Sequence, residues 1–196
     1  QVPEEAEFIV PDNLVPERKF EVAPRKPEPP TQEDRQKWVA DSITRIFPEE
    51  KYGKSFHDAV MASISHETGQ TFRSDTQQTG GPAKGLLQME KGMRRDFEEY
   101  LNETDRMEDR DSTLEYFKLL IEGNRPSYDI GEGHRKRILK AIETGDSEII
   151  LKSLTDEFFR PGEPRMDQRL KELGYFQPPP EDKGCLTNGY LQIKYI

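Results

Sequence analysis

The chain has 196 residues, of which 32% are hydrophobic and 34% charged, and its formal net charge is −9. That length suits one domain with extensions or two small ones, and the acidic balance argues against a nucleic-acid footprint or a basic membrane-binding face. No apolar run reaches the roughly 18 residues expected of a membrane-spanning helix, and no stretch reads as a signal peptide. The single cysteine, Cys185, excludes an internal disulfide and a multi-cysteine zinc site, and His57, His66 and His134 are scattered, so neither metal nor cofactor is expected.

Residues 1–30 contain seven of the fifteen prolines. Each removes a backbone donor and fixes φ, which predicts an extended or polyproline-like arm. Apolar residues between the prolines (Phe8, Ile9, Val10, Leu14, Val15, Phe20, Val22) exceed the needs of a plain linker. They leave open an arm that docks on a partner or on its own domain.

A helical domain is expected over residues 31–176. Thr31 opens T-Q-E-D with capping-box spacing, and Trp38, Val39, Ala40, Ile43, Ile46 and Phe47 follow at helical intervals up to Pro48. Ser55 opens a second such box, S-F-H-D. Beyond it Phe56, Ala59, Val60, Ser63, Ile64 and Glu67 fall at i, i+3, i+4, i+7, i+8 and i+11. Residues 70–85 read as a long polar loop or a small hairpin around Gly80, Gly81, Pro82 and Gly85, with Phe72 as its one large apolar anchor.

The next helix carries Met93, Phe97, Tyr100 and Leu101 on one side. Ser112 is the expected cap of another helix, with Leu114, Phe117, Leu120 and Ile121 inward and Gly123 as its stop. A loop over residues 124–133 leads to a basic helix with Ile138, Leu139 and Ile142, ended by Gly145. Ser147 then caps a helix burying Ile149, Ile150, Leu154, Phe158 and Phe159. R-P-G-E-P at 160–164 breaks it, and a short last helix is closed by Gly174. Residues 177–196 form a tail with three consecutive prolines, an Asn188-Gly189 turn and a strand-like alternation from Tyr190 to Ile196.

The chemistry concentrates in residues 62–89. The apolar stripe ends in a lone carboxylate, Glu67, just before Gly69, and a polar glycine-containing span follows. A carboxyl at the edge of an apolar face loses hydration, the setting a general acid needs. His66 lies about 100° around the helix from Glu67 and reads as surface or supporting. G-G-P-A-K-G does not match a phosphate loop, because it lacks the Walker spacing and the Lys-Ser/Thr ending.

Two stretches, H-E-T-G and G-P-A-K-G-L-L-Q-M-E, resemble the lysozyme-like lytic transglycosylases and, within that superfamily, the lysozyme-like proteins of tailed-phage particles. R-P-G-E-P is similar to a motif near the end of those phage proteins. The resemblance covers roughly residues 55–165. It implies a mainly α, lysozyme-like domain that cleaves peptidoglycan glycan strands, with Glu67 protonating the glycosidic oxygen and then acting as base. It further implies that Thr68, Gly85, Leu86, Leu87, Gln88 and Tyr128 line or support the cleft. In a transglycosylase the substrate's own 6-hydroxyl attacks and gives a 1,6-anhydro product, whereas a lysozyme-type hydrolase needs a second acid, for which Asp75 and Glu90 are the candidates.

The sequence departs from the family pattern in a longer gap between Glu67 and Gln88 and in the poor match of residues 122–128 to an A-Y-N segment. The expected setting is a virion, whose other proteins the arm and tail would contact during entry through the host envelope. A structural virion protein with the same fold and little activity is the alternative, and a secreted or periplasmic bacterial enzyme is a third reading.

Overall fold

The computed structural model describes residues 27–78 and 81–177, so most of the arm and nearly all of the tail expected above lie outside the described residues. The described chain is mainly α. Its elements are α1 (Gln32–Ile46), α2 (Glu49–Tyr52), α3 (Lys54–Glu67), α4 (Lys91–Glu103), α5 (Arg110–Glu122), α6 (Glu132–Glu143), α7 (Ser147–Leu154) and α8 (Met166–Phe176), with a π-helical turn at Thr155–Phe159 extending α7.

Helix α3 is the axis on which the others pack. Every residue from Phe56 to Ser65 is buried, so the single stripe read from the sequence is only one of several covered faces. α8 and α7 pack along it, α1 and α2 close its other sides, and α5 lies outside α1. A helix covered all round must satisfy its polar groups internally. Ser63 donates to the Ala59 carbonyl (2.8 Å), His57 Nε2 lies 2.6 Å from the Phe47 carbonyl, and Ser65 donates to Glu172 of α8 (2.6 Å). Aromatic rings weld the N-terminal end of α3 to its neighbours: Phe47 has its centroid 5.1 Å from both Tyr52 and Phe56 and 5.8 Å from Phe117.

Several expected caps and faces are placed differently. Thr31 caps α1 as expected, accepting from the Asp34 N–H. Ser55 does not cap α3, however: the N-cap is Gly53, and the Ser55 hydroxyl donates to the Gly145 carbonyl. The cap of α5 is Asp109, and Ser112 is its reciprocal partner one turn in, which moves the start of the helix back to Arg110. Asp146, not Ser147, caps α7 by accepting from the Glu148 and Ile149 N–H groups. Ile149 is consequently 49% exposed and Leu151 takes the inward position, because the buried stripe runs through Ile150, Leu151 and Leu154. Leu139 likewise faces outward beside buried Ile138 and Ile142. Gly174 lies inside α8, which continues to Phe176.

Candidate active site

Glu67 is the last residue of α3, as expected, and its side chain is 16% exposed. The environment that covers it is not purely apolar. Arg169 of α8, itself only 1% exposed, donates from one terminal nitrogen to Glu67 Oε1 at 2.6 Å and from Nε to the Pro164 carbonyl at 2.9 Å. A charge-assisted bond of this length fixes the carboxylate geometrically. The other terminal nitrogen of Arg169 is buried without a hydrogen-bond partner among the described residues. Beside this pair, burial lowers the pKa of His66, and the Arg169 and Arg165 guanidiniums add to that while Glu172 opposes it.

Thr68 is buried and fully engaged locally. Its hydroxyl donates to the Ile64 carbonyl (2.7 Å) and accepts from the Phe72 N–H (3.1 Å), pinning the exit from α3. The chain then turns through three left-handed positions within four residues, Gly69, Gln70 and Phe72. Phe72 holds that strained conformation because its ring is buried edge-on to Phe176, 6.3 Å between centroids.

The polar span folds as a compact loop, closed by isolated antiparallel bridges between Gln77 and Lys84 and between Lys84 and Met89. Within it, the Thr76 carbonyl receives the Gly85 N–H (2.8 Å) and the Gln88 side-chain amide (3.2 Å). Gly85 has φ +83°, a left-handed conformation that a side chain would strain, which is why glycine stands at this turn; a Cβ there would meet the Ser74 carbonyl only at an ordinary 3.5 Å contact. Gln88 also donates to the Gly85 carbonyl at 2.8 Å. Both amide protons are therefore held by backbone, and what Gln88 can offer a ligand is its carbonyl oxygen. Leu86 and Leu87 are buried and anchor this turn on the core.

Outside the turn lies a cleft of about 290 Å³, near the lower end of small-molecule sites. It is lined by Leu87, Gln88, Met89, Glu90 and Met93 from one stretch of chain, by Tyr128 from a second and by Phe158, Phe159 and Arg160 from a third. Of the residues expected at the site, Leu87, Gln88, Tyr128 and Glu90 thus share one cavity. Gly85 and Leu86 belong to the turn that carries Leu87 and Gln88, whereas Thr68 is not among the lining residues and is engaged at the exit from α3. Asp75 forms a bidentate pair with Arg73 (2.7 and 2.6 Å) on the outer face of the loop. Glu67 is not among the cleft-lining residues; it connects to the cleft through Arg169, whose guanidinium carbon is 5.7 Å from the centroid of the Phe159 ring. Phe159, Arg160 and Arg169 were not expected at the site from sequence, although R-P-G-E-P marked the position of Arg160. Among the described residues no three His, Cys, Asp or Glu side chains gather as a metal site, and no helix is long and apolar enough to cross a membrane.

The Tyr128 wall is held by a buried network. Asp96 accepts from Arg125 Nε (2.9 Å) and from the Tyr116 hydroxyl (2.8 Å), tying the loop that bears Tyr128 to α4 and α5. Burial alone would raise the Asp96 pKa, but hydrogen bonds from Arg125, Ser127 and Tyr116 outweigh it and hold the carboxyl below the ordinary aspartate range. A depressed folded pKa contributes stability above the unfolded value of about 3.9, and that stability is lost as pH falls through the folded value. Asp96→Asn is therefore expected to lose about 1.5–3 kcal/mol at neutral pH. The difference from wild type should shrink at about pH 3, which urea unfolding at both pH values checks.

No family model, curated protein or solved structure matches the chain. The functional reading accordingly rests on the residues and their arrangement.

Proposed function

We propose that this chain is a peptidoglycan-cleaving glycosidase with a lysozyme-like helical domain, carried in a phage particle and acting on the host wall during genome delivery. The observation that carries the reading is the cleft. It joins Leu87 to Glu90 of the G-L-L-Q-M-E run, Tyr128 and the arginine of R-P-G-E-P, segments up to 73 residues apart between Leu87 and Arg160, around one cavity. Glu67, at the end of the central buried helix, is the general acid/base, and Arg169 and Phe159 link it to that cleft. Glu67 would protonate the glycosidic oxygen as the bond to C1 breaks. Either the 6-hydroxyl of the same sugar then closes an anhydro ring, or water attacks.

Glu90 lines the cleft while Asp75 is paired on the outer face, which favours Glu90 as the second acid of a hydrolytic version. Uncharged sugar rings are gripped by hydrogen bonds and shape, so the acidic chain is no obstacle. The arm and tail would contact other virion proteins.

The second reading, a structural virion protein with little or no activity, is favoured by one observation: Oε1 of Glu67 is occupied by a buried guanidinium and the residue lies off the cleft lining. The full chain is expected to clear a suspension of purified peptidoglycan. Mass spectrometry of the products should then show anhydro ends for a transglycosylase or reducing ends for a hydrolase. A suspension that stays turbid with the full chain supports the structural reading.

A further inference from the structure

The described end of the N-terminal arm lies in a groove formed by α1, the loop at residues 72–74 and the start of α5. Pro27, Glu28 and Pro29 line it together with Trp38, Phe72 and Arg110. Arg35 straps the arm down, donating to the Pro29 and Pro30 carbonyls (3.0 and 2.9 Å) and, through Nε, to the Thr71 carbonyl (2.8 Å). Glu28 Oε1 accepts from the Ser74 N–H at 2.5 Å and from the Ser74 hydroxyl. Its Oε2 is buried with no hydrogen-bond partner among the described residues; Nε of Arg110, 4.0 Å from Asp111, is likewise without a hydrogen bond, and its guanidinium carbon stands 3.7 Å from the centroid of the Trp38 ring. An acid half-unsatisfied in a closed groove is an unfavourable choice for a segment that only needs to lie there.

What Glu28 grips is the back of the cleft wall. The Ser74 carbonyl packs on Gly85, and two residues on, the Thr76 carbonyl holds both the Gly85 N–H and the Gln88 amide. We infer that Glu28 is a positioning residue: the arm end is a latch that holds residues 71–76, and through them the Gln88 wall, in the cleft-forming arrangement. The latch is independent of which chemistry the cleft performs. Drawing the arm out of its groove releases the Ser74 bonds first and loosens the turn at residues 85–88 next, so tension on the arm is read at the cleft.

Trp38, the chain's one tryptophan, lines the groove and reports its opening. In the full chain, Glu28→Ala is expected to increase acrylamide quenching of Trp38. It should also raise hydrogen exchange at the Ser74 and Gly85 amides about tenfold, leaving the α5 amides near wild type. Glu28→Gln keeps the oxygen that Ser74 uses and should restore most of the protection. Unchanged exchange at these amides in Glu28→Ala, with or without a change in Trp38, overturns the latch. If Glu28→Ala raises exchange throughout the chain, Ser74→Ala, which deletes only the hydroxyl bond, decides: a rise confined to residues 71–89 supports the latch, and a uniform rise or none overturns it.

Discussion

Glu67→Ala is expected to cost about 3–5 kcal/mol of folding stability, an unusually large loss for the terminal residue of a helix. The reason lies in Arg169. Its side chain is 2% exposed, against 16% for Glu67, and among the described residues Glu67 is the one carboxylate it pairs with. Removing Glu67 leaves a guanidinium buried with only the Pro164 carbonyl and the face of Phe159 to compensate it. Removing Arg169 leaves a carboxylate that can rehydrate through its exposed edge, so Arg169→Met should cost less. The double variant Glu67→Ala/Arg169→Met deletes both charges, and a buried ion pair replaced by apolar groups is often near neutral. It should recover much of the single-variant loss, with a non-additivity of roughly 1.5–3 kcal/mol. Urea unfolding of the four proteins measures this. Additive losses would show that the two side chains do not depend on one another.

That pair also shows where sequence reading stops. The end of α3 at Glu67 was legible because apolar residues recur at helical spacing up to it, and the covered position of the carboxyl followed from the same stripe. Its partner was not legible. Arg169 is 102 residues away in a short, mostly polar helix, and nothing in local spacing separates it from the exposed charges around it. Helix faces were read well where one stripe dominates, as in α5, whose Leu114, Phe117, Leu120 and Ile121 are all buried. They were read poorly in α7, where Ile149, Ile150 and Leu151 are consecutive and only the cap chooses which faces inward. Caps themselves were ambiguous wherever two polar residues compete. Asp109 and Ser112 bond each other's backbone, so either looks like the cap until the fold is known.

In the cleft, Gln88 and Tyr128 were found through motif likeness. Phe158, Phe159 and Arg160 were hidden because a π-helical turn follows α7, ending in a left-handed Arg160 that no helical periodicity anticipates.

Glu67→Gln is the substitution on which the glycosidase reading depends. Loss of a general acid lowers turnover by about 10²–10⁴, and a glutamine cannot supply the proton. It can still place an oxygen where Arg169 donates, so the variant should remain folded, with a smaller loss of stability than Glu67→Ala. An unfolding midpoint measured on the same preparation separates lost chemistry from lost structure. Glu90→Gln then divides the two mechanisms. In a hydrolase Glu90 activates the attacking water across the cleft, and its loss should also lower turnover by about 10²-fold or more. In a transglycosylase the nucleophile belongs to the substrate, so Glu90→Gln should leave turnover within a few-fold and anhydro ends in the products. If Glu67→Gln clears peptidoglycan as fast as wild type, the Glu67–Arg169 pair belongs to the core of the fold, and any proton donor must be sought on the cleft walls, where Glu90 is the first carboxylate to test.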